Sequence, residues 1–251
     1  MAETFPNAAS APQSGSFHTE GRTVGAGRGW DWIVEAYALF RRQPGMWILT
    51  VVVLGVLFVV ISMIPVLGSL ASALLLPIFG AGLMLGCRAL DQGGELELAH
   101  LFAGFKERTG DLVMVGVFNL IGWTIMAVAM VAVIGGGVFM GMLRGGLLGA
   151  GLSIASILFA ALLVAGLSVP MYMATWFAPA LIVLNGMAPV AALKASFFAC
   201  LRNWIAFLVY SVALLVLGML AAIPLFLGYL VLLPVLAVSV YISYLDIFRK
   251  D

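Results

Sequence analysis

Charge constrains this chain most: no Asp, Glu, Lys or Arg falls between Arg42 and Arg88, between Asp111 and Arg144, between Arg144 and Lys194, or between Arg202 and Asp246. The first gap holds 45 residues and the last 43, whereas a helix needs about 20 apolar residues to cross the hydrocarbon core. Each gap therefore fits a helical hairpin. With hydrophobic residues at 64% and charged ones at 9%, there is too little polar surface to cover a water-soluble fold of this length. The expectation is an all-α integral membrane protein with six transmembrane helices and the lipid bilayer as its first partner.

The formal net charge of +1 and the scatter of the basic residues argue against a nucleic-acid partner. Cys87 and Cys200, the only two cysteines, lack the number and spacing of a disulfide framework or a metal site. They read as small apolar fillers. Residues 1–29, rich in Gly, Ser, Ala and Pro, have neither the apolar core nor the cleavage site of a secretory signal, and are expected to form a disordered cytoplasmic tail. One polytopic domain follows, over 30–248. The Arg41-Arg42 pair reads as a positive anchor at a helix end rather than as a twin-arginine export signal.

Trp30, Ile33, Tyr37 and Phe40 recur at helical spacing, with Asp31, Glu35, Ala38 and Arg42 opposite, which predicts an amphipathic helix at the membrane surface. Met46 to about Pro65 makes the first span, with Trp47 at an interfacial position, and Val66 to about Cys87 returns. A second surface helix is expected around Leu98, Leu101, Phe102 and Phe105. Leu112 to about Ile134 then spans, and a glycine-rich run leads into a long apolar segment interrupted by Pro170 and Pro179. Pro189 opens a third surface helix whose apolar face carries Val190, Leu193, Phe197 and Leu201. Trp204 to Pro224 and Leu225 to about Leu245 form the last hairpin.

Superposing the three surface segments exposes a repeat. AYALFRRQPGMW (36–47) and LFAGFKERTGDL (101–112) align without a gap at an offset of 65, pairing Phe40 with Phe105 and Gly45 with Gly110; SFFACLRNW (196–204) is the third copy. IPVLGSLASALLLP, ending at Pro77, likewise matches IPLFLGYLVLLP, ending at Pro234. Three pseudo-repeated hairpins, each preceded by a surface helix, account for the chain in units of about 30–90, 96–187 and 188–248. Of the 12 basic residues all but Arg144 then fall on one side, and the positive-inside rule makes that side, with both termini, cytoplasmic.

With LFRRQPGMW before the first span, IP…LLLPIFGAGLMLGCRA in the return helix, TWFAPALIVL, and SFFACLRNWIAFLVY leading into the last hairpin, the chain resembles a family of proteobacterial polytopic inner-membrane proteins over roughly residues 28–248. More distantly, its layout is similar to the membrane domain that some glycerophosphodiester phosphodiesterases carry, although the segments flanking the spans are too short for a phosphodiesterase barrel of about 250 residues. The resemblance implies an inner-membrane location and topology. It brings no substrate, cofactor or active-site residue with it.

Proton- and ion-driven transporters keep an ionisable residue at mid-membrane, and the spans here hold none. Asn119, Thr124 and Thr175 are the candidates for a polar lining, against the plainer reading that they bond to neighbouring helices. Gly137, Gly141, Gly145 and Gly149 form a small-residue ridge at every fourth position, which reads as a re-entrant or extended packing helix or as a glycine-rich loop; the register favours the helix. No nucleophile, metal set or cofactor motif emerges. The reading is a non-enzymatic accessory or membrane-organising component, with self-association or a membrane-protein partner, and a channel or uncoupled carrier for a small solute or lipid as the alternative.

Overall fold

A computed structural model describes residues 17–249. Among these residues the chain is helical, with no strand. Six segments are long and apolar enough to cross a membrane: α2 (Pro44–Ser62), α3 (Leu67–Asp91), α5 (Thr109–Arg144), α6 (Gly146–Thr175) continued by α7 (Ala178–Asn185), α9 (Trp204–Ala222) and α10 (Tyr229–Phe248). Four shorter pieces connect them: α1 (Arg28–Phe40), the single turn α4 (Leu98–Leu101), a 3-10 turn (Ala103–Phe105) and α8 (Pro189–Arg202). The chain is a multi-pass membrane protein.

Turn chemistry sets where the helices reverse. At both Ile64-Pro65-Val66-Leu67-Gly68 and Ile223-Pro224-Leu225-Phe226-Leu227-Gly228, proline follows the end of one helix, one or two non-glycine residues take positive φ, and a glycine lies against the helix just left. A Cβ at Gly68 would run into the Ile61 carbonyl, and one at Gly228 into Ala221. The middle reversal uses Gly145 and Gly146, with φ of 63° and 56°, a conformation that glycine adopts without steric cost.

Burial is concentrated at one end of the bundle, the base, where the four short pieces gather. The buried residues of α3 run from Pro77 to Leu90, apart from Gly68, and those of α10 from Pro234 to Phe248. In α2 only Trp47 and Thr50 are buried, in α9 only Ala206 and Tyr210. Toward their opposite ends the hairpins expose Val, Leu and Met, since lipid imposes no penalty on apolar side chains that would force the hairpins together.

Several local expectations are corrected by this packing. Residues 17–29 are not a free tail: the Phe17 ring stacks on Phe248, and the N–H groups of His18 and Arg22 donate to the Phe248 and Ile247 carbonyls. The remainder of the expected tail, residues 1–16, lies outside the described residues. Helix α1 divides the expected apolar face, with Trp30 and Tyr37 exposed and Ile33 and Phe40 buried. It docks on α9 and α10 through Trp32, Ile33, Ala36, Leu39 and Phe40, with the Trp32 ring 5.2 Å from that of Phe207. Trp47 is fully buried rather than interfacial. The second surface helix is reduced to α4 and the 3-10 turn. In α8 the bulky residues Val190, Phe198 and Leu201 point outward, while the small residues Ala192, Ser196 and Ala199 form the packed face.

Candidate functional site

Between the packed base and the exposed tips lies a crevice of about 390 Å³, lined by α2, α3, α5, α6, α7 and α10. Two prolines shape it: Pro77 within α3 and Pro179 at the start of α7, each removing a backbone donor and displacing the local helix. Phe79, Leu83, Met84 and Val115 make its buried wall; Leu76, Trp123 and Tyr172 stand at its exposed rim, where the Trp123 and Tyr172 rings meet edge to face at 6.0 Å. No charged side chain lines it.

Two of the three predicted lining residues belong to this crevice. Asn119 of α5 and Thr175 of α6 both line it. Asn119 lies ten residues past the start of α5 and Thr175 ten before the end of α7, so both stand about 15 Å from the base. That distance equals half the thickness of a hydrocarbon core of about 30 Å. The Thr175 hydroxyl donates to the Met171 carbonyl of its own helix at 3.0 Å. Among the described residues, the Asn119 amide has no hydrogen-bond partner, and neither does the indole N–H of Trp176, which is closed off from the crevice although other atoms of that residue line it. Thr124 does not join them: it is exposed on α5 and donates to the Leu120 carbonyl at 2.7 Å.

The break between α6 and α7 is held by a residue that the sequence did not single out. Ser196 of α8 accepts from the Phe177 N–H at 3.0 Å and donates to the Met173 carbonyl at 2.7 Å. It thus inserts between a donor and an acceptor four residues apart, which would have bonded directly in an unbroken helix. Ser196 lies on the small face of a helix whose bulky residues Val190, Phe198 and Leu201 are exposed, so hydrophobic periodicity carried no signal for it.

A second missed constellation lies at the base. Asp246 of α10, 2% exposed, accepts from Arg28 Nε at 2.6 Å, Arg22 Nη2 at 2.8 Å and the Trp32 indole at 2.9 Å. Arg28 also meets Glu35 at 3.0 Å. Burial disfavours the Arg28 charge, but Asp246 and Glu35 outweigh that effect and hold its pKa above the ordinary value. The signal in the sequence was Asp246 itself, an acid closing an apolar span. The constellation fastens the 17–27 segment and α1 to α10, which is structural work.

The glycine ridge lies where α5 and α6 cross. A Cβ on Gly137 would strike Ser156; one on Gly141 would sit 2.6 Å from the Gly149 carbonyl oxygen and closer still to Ser153 Oγ; one on Gly149 would strike the Gly141 carbonyl. Gly145 faces open space and serves the turn instead of the ridge. The segment 137–144 is thus the last two turns of α5, not a loop.

No protein-family model matches the chain, and no solved structure matches it. Among curated proteins, a probable inner membrane protein of Burkholderia thailandensis is 30% identical over 196 residues, covering 75% of this chain and 72% of that protein. Identity and coverage of that extent, together with six apolar spans, place the chain: it belongs to the same family of inner-membrane proteins.

Proposed function

We propose that the protein is a non-enzymatic accessory component of the inner membrane, with both termini cytoplasmic, and that it assembles with another membrane protein or a second copy through the α5–α6 hairpin. The observation that carries this reading is a mismatch of length. Helices α2 and α9 have 19 residues each and α5 has 36, or about 28 Å against about 54 Å. A tilt of about 40°, the top of the usual range, still leaves α5 covering about 41 Å of depth. Its tip therefore stands beyond the hydrocarbon core, yet it is apolar: Met142 is 77% and Leu147 92% exposed. Apolar surface of that kind outside the lipid calls for a covering partner.

The sidedness rests on charge. Ten basic residues from Arg22 to Arg249 lie at the base or in the segments leading to it, and Arg144 alone is at the far end. The three-unit layout is supported by the start of α2 at Pro44 and of α5 at Thr109, the offset at which their sequences align, and by Pro77 and Pro234, after which α3 and α10 enter the core. Blue native electrophoresis in mild detergent tests the assembly role: the wild-type chain runs as a complex and Leu147→Asp runs as the monomer. A wild-type chain that is monomeric and free of partners overturns it. The mid-depth crevice favours a second reading, an uncoupled carrier of a small solute or lipid, for which flux across vesicles containing only this protein is the test.

A further inference from the structure

The crevice presents one side-chain amide without a hydrogen-bond partner among the described residues, that of Asn119, about 15 Å along its helix from the base and so away from the phospholipid ester groups at the boundary. A polar group left alone there is costly, and a ligand bearing acceptor oxygens removes that cost. The remaining surface narrows the class. Phe79, Trp123, Tyr172 and Trp176 supply aromatic wall, which suits a flat apolar ring. With no cation lining the crevice, a fatty-acid carboxylate would be unpaired, and with no carboxylate an ammonium would be. The ligand is therefore neutral. A phospholipid keeps its carbonyls at the hydrocarbon boundary, about 15 Å from the midplane, and its headgroup cannot follow them inward. Finally, Leu76, Trp123 and Tyr172 are exposed at the rim, which leaves a lateral exit to lipid for an apolar tail.

We propose that this crevice binds an isoprenoid quinone, its ring between the aromatic side chains, one of its carbonyl oxygens accepting from the Asn119 amide, and its tail leaving between α3, α5 and α6. The inference concerns binding and includes no electron transfer. It is independent of the assembly proposed for the α5–α6 tip, whose Leu147→Asp variant leaves the crevice untouched.

The full-length protein in nanodiscs of phosphatidylethanolamine and phosphatidylglycerol is titrated with decylubiquinone while tryptophan emission and melting temperature are followed. The wild type shows saturable quenching and a saturable rise in melting temperature. Asn119→Leu weakens the half-saturation point by about tenfold, while the melting temperature without quinone stays level or rises, since an unsatisfied amide has been removed. Gly80→Leu, at a position where a Cβ meets only Pro179 at 3.9 Å, fills the crevice and abolishes the saturable phase; if it fails to fold, Asn119→Leu carries the test. Linear quenching of equal slope in the wild type and Asn119→Leu overturns the proposal. So does quenching by phosphatidylethanolamine brominated on its acyl chains that added quinone cannot relieve, since the occupant is then a phospholipid. A large loss of stability in quinone-free Asn119→Leu overturns it as well, by making the amide structural.

Discussion

Asp246 and Arg28, 218 residues apart in sequence, meet at 2.6 Å in a part-buried ion pair that joins the last span to the first helix. Trp32 and Arg22 fill the other acceptor positions of the same carboxylate. Removing the acid takes a shared acceptor from Arg22, Arg28 and Trp32, although the two guanidinium groups are 35% and 25% exposed and Arg28 keeps Asp31 and Glu35. With that exposure discounting the charge effect, Asp246→Ala should destabilise the protein by about 1–3 kcal/mol. Because the 17–27 segment is fastened by the same group, trypsin should cut after Arg22 and Arg28 much faster in the variant than in the wild type. Equal digestion rates in everted vesicles would show that the pair does not hold this segment down.

Ser196 replaces a missing helical hydrogen bond at the α6–α7 break. Ser196→Ala should lower stability by about 1–3 kcal/mol, the cost of leaving the buried Phe177 N–H and Met173 carbonyl unsatisfied. A thermal melt in detergent provides the measurement. Ser168, whose hydroxyl donates to the Ala165 carbonyl on an exposed stretch of α6, is the control, and Ser168→Ala should be neutral.

At the α5–α6 crossing, Gly141→Leu would drive a side chain into Ser153 and the Gly149 carbonyl. The helices would have to separate and lose packing worth on the order of 1–3 kcal/mol, so the variant should melt lower and accumulate less in membranes. Gly25→Leu, at a position where a Cβ meets nothing within 4 Å, should behave as wild type. If the two variants accumulate and melt alike, the crossing contributes nothing to stability.

Topology is open to cysteine labelling because the native thiols are hidden. Cys87 and Cys200 are both buried, and burial pushes the Cys200 thiol up to about 12, only partly offset by its contact with Ser196. Neither should react with a maleimide at pH 8 until the protein unfolds, since the thiolate is the reactive form. The raised Cys200 value has a sign for stability too. An unfolded thiol ionises near 9 and the folded one near 12, so this contribution is complete below about pH 9 and is lost as the pH rises toward 12. Against that silent background Arg144→Cys should react from outside the cell and Lys106→Cys only from the cytoplasm. The reverse pattern would invert the topology.

The sequence by itself determined where the chain can lie in lipid. Its charge-free gaps coincide with α2–α3, α5–α7 and α9–α10, and its prolines at 65 and 224 with two of the three reversals, because hydropathy and turn chemistry are local properties. What touches what was decided only by tertiary structure. In water an apolar stripe identifies the buried face, but in a bilayer apolar side chains are equally at home against lipid, so Trp30 and Tyr37 turned outward while Trp32 and Leu39 turned in. By the same logic α8 packs through alanine and serine, and Thr124 lies outside a crevice that holds Asn119 and Thr175, a distinction of helical phase that polarity does not encode. The contacts of Asp246 with Arg22 and Arg28 lay further still from local reading, since a pairing across more than 200 residues exists only once α10 has been packed beside α1.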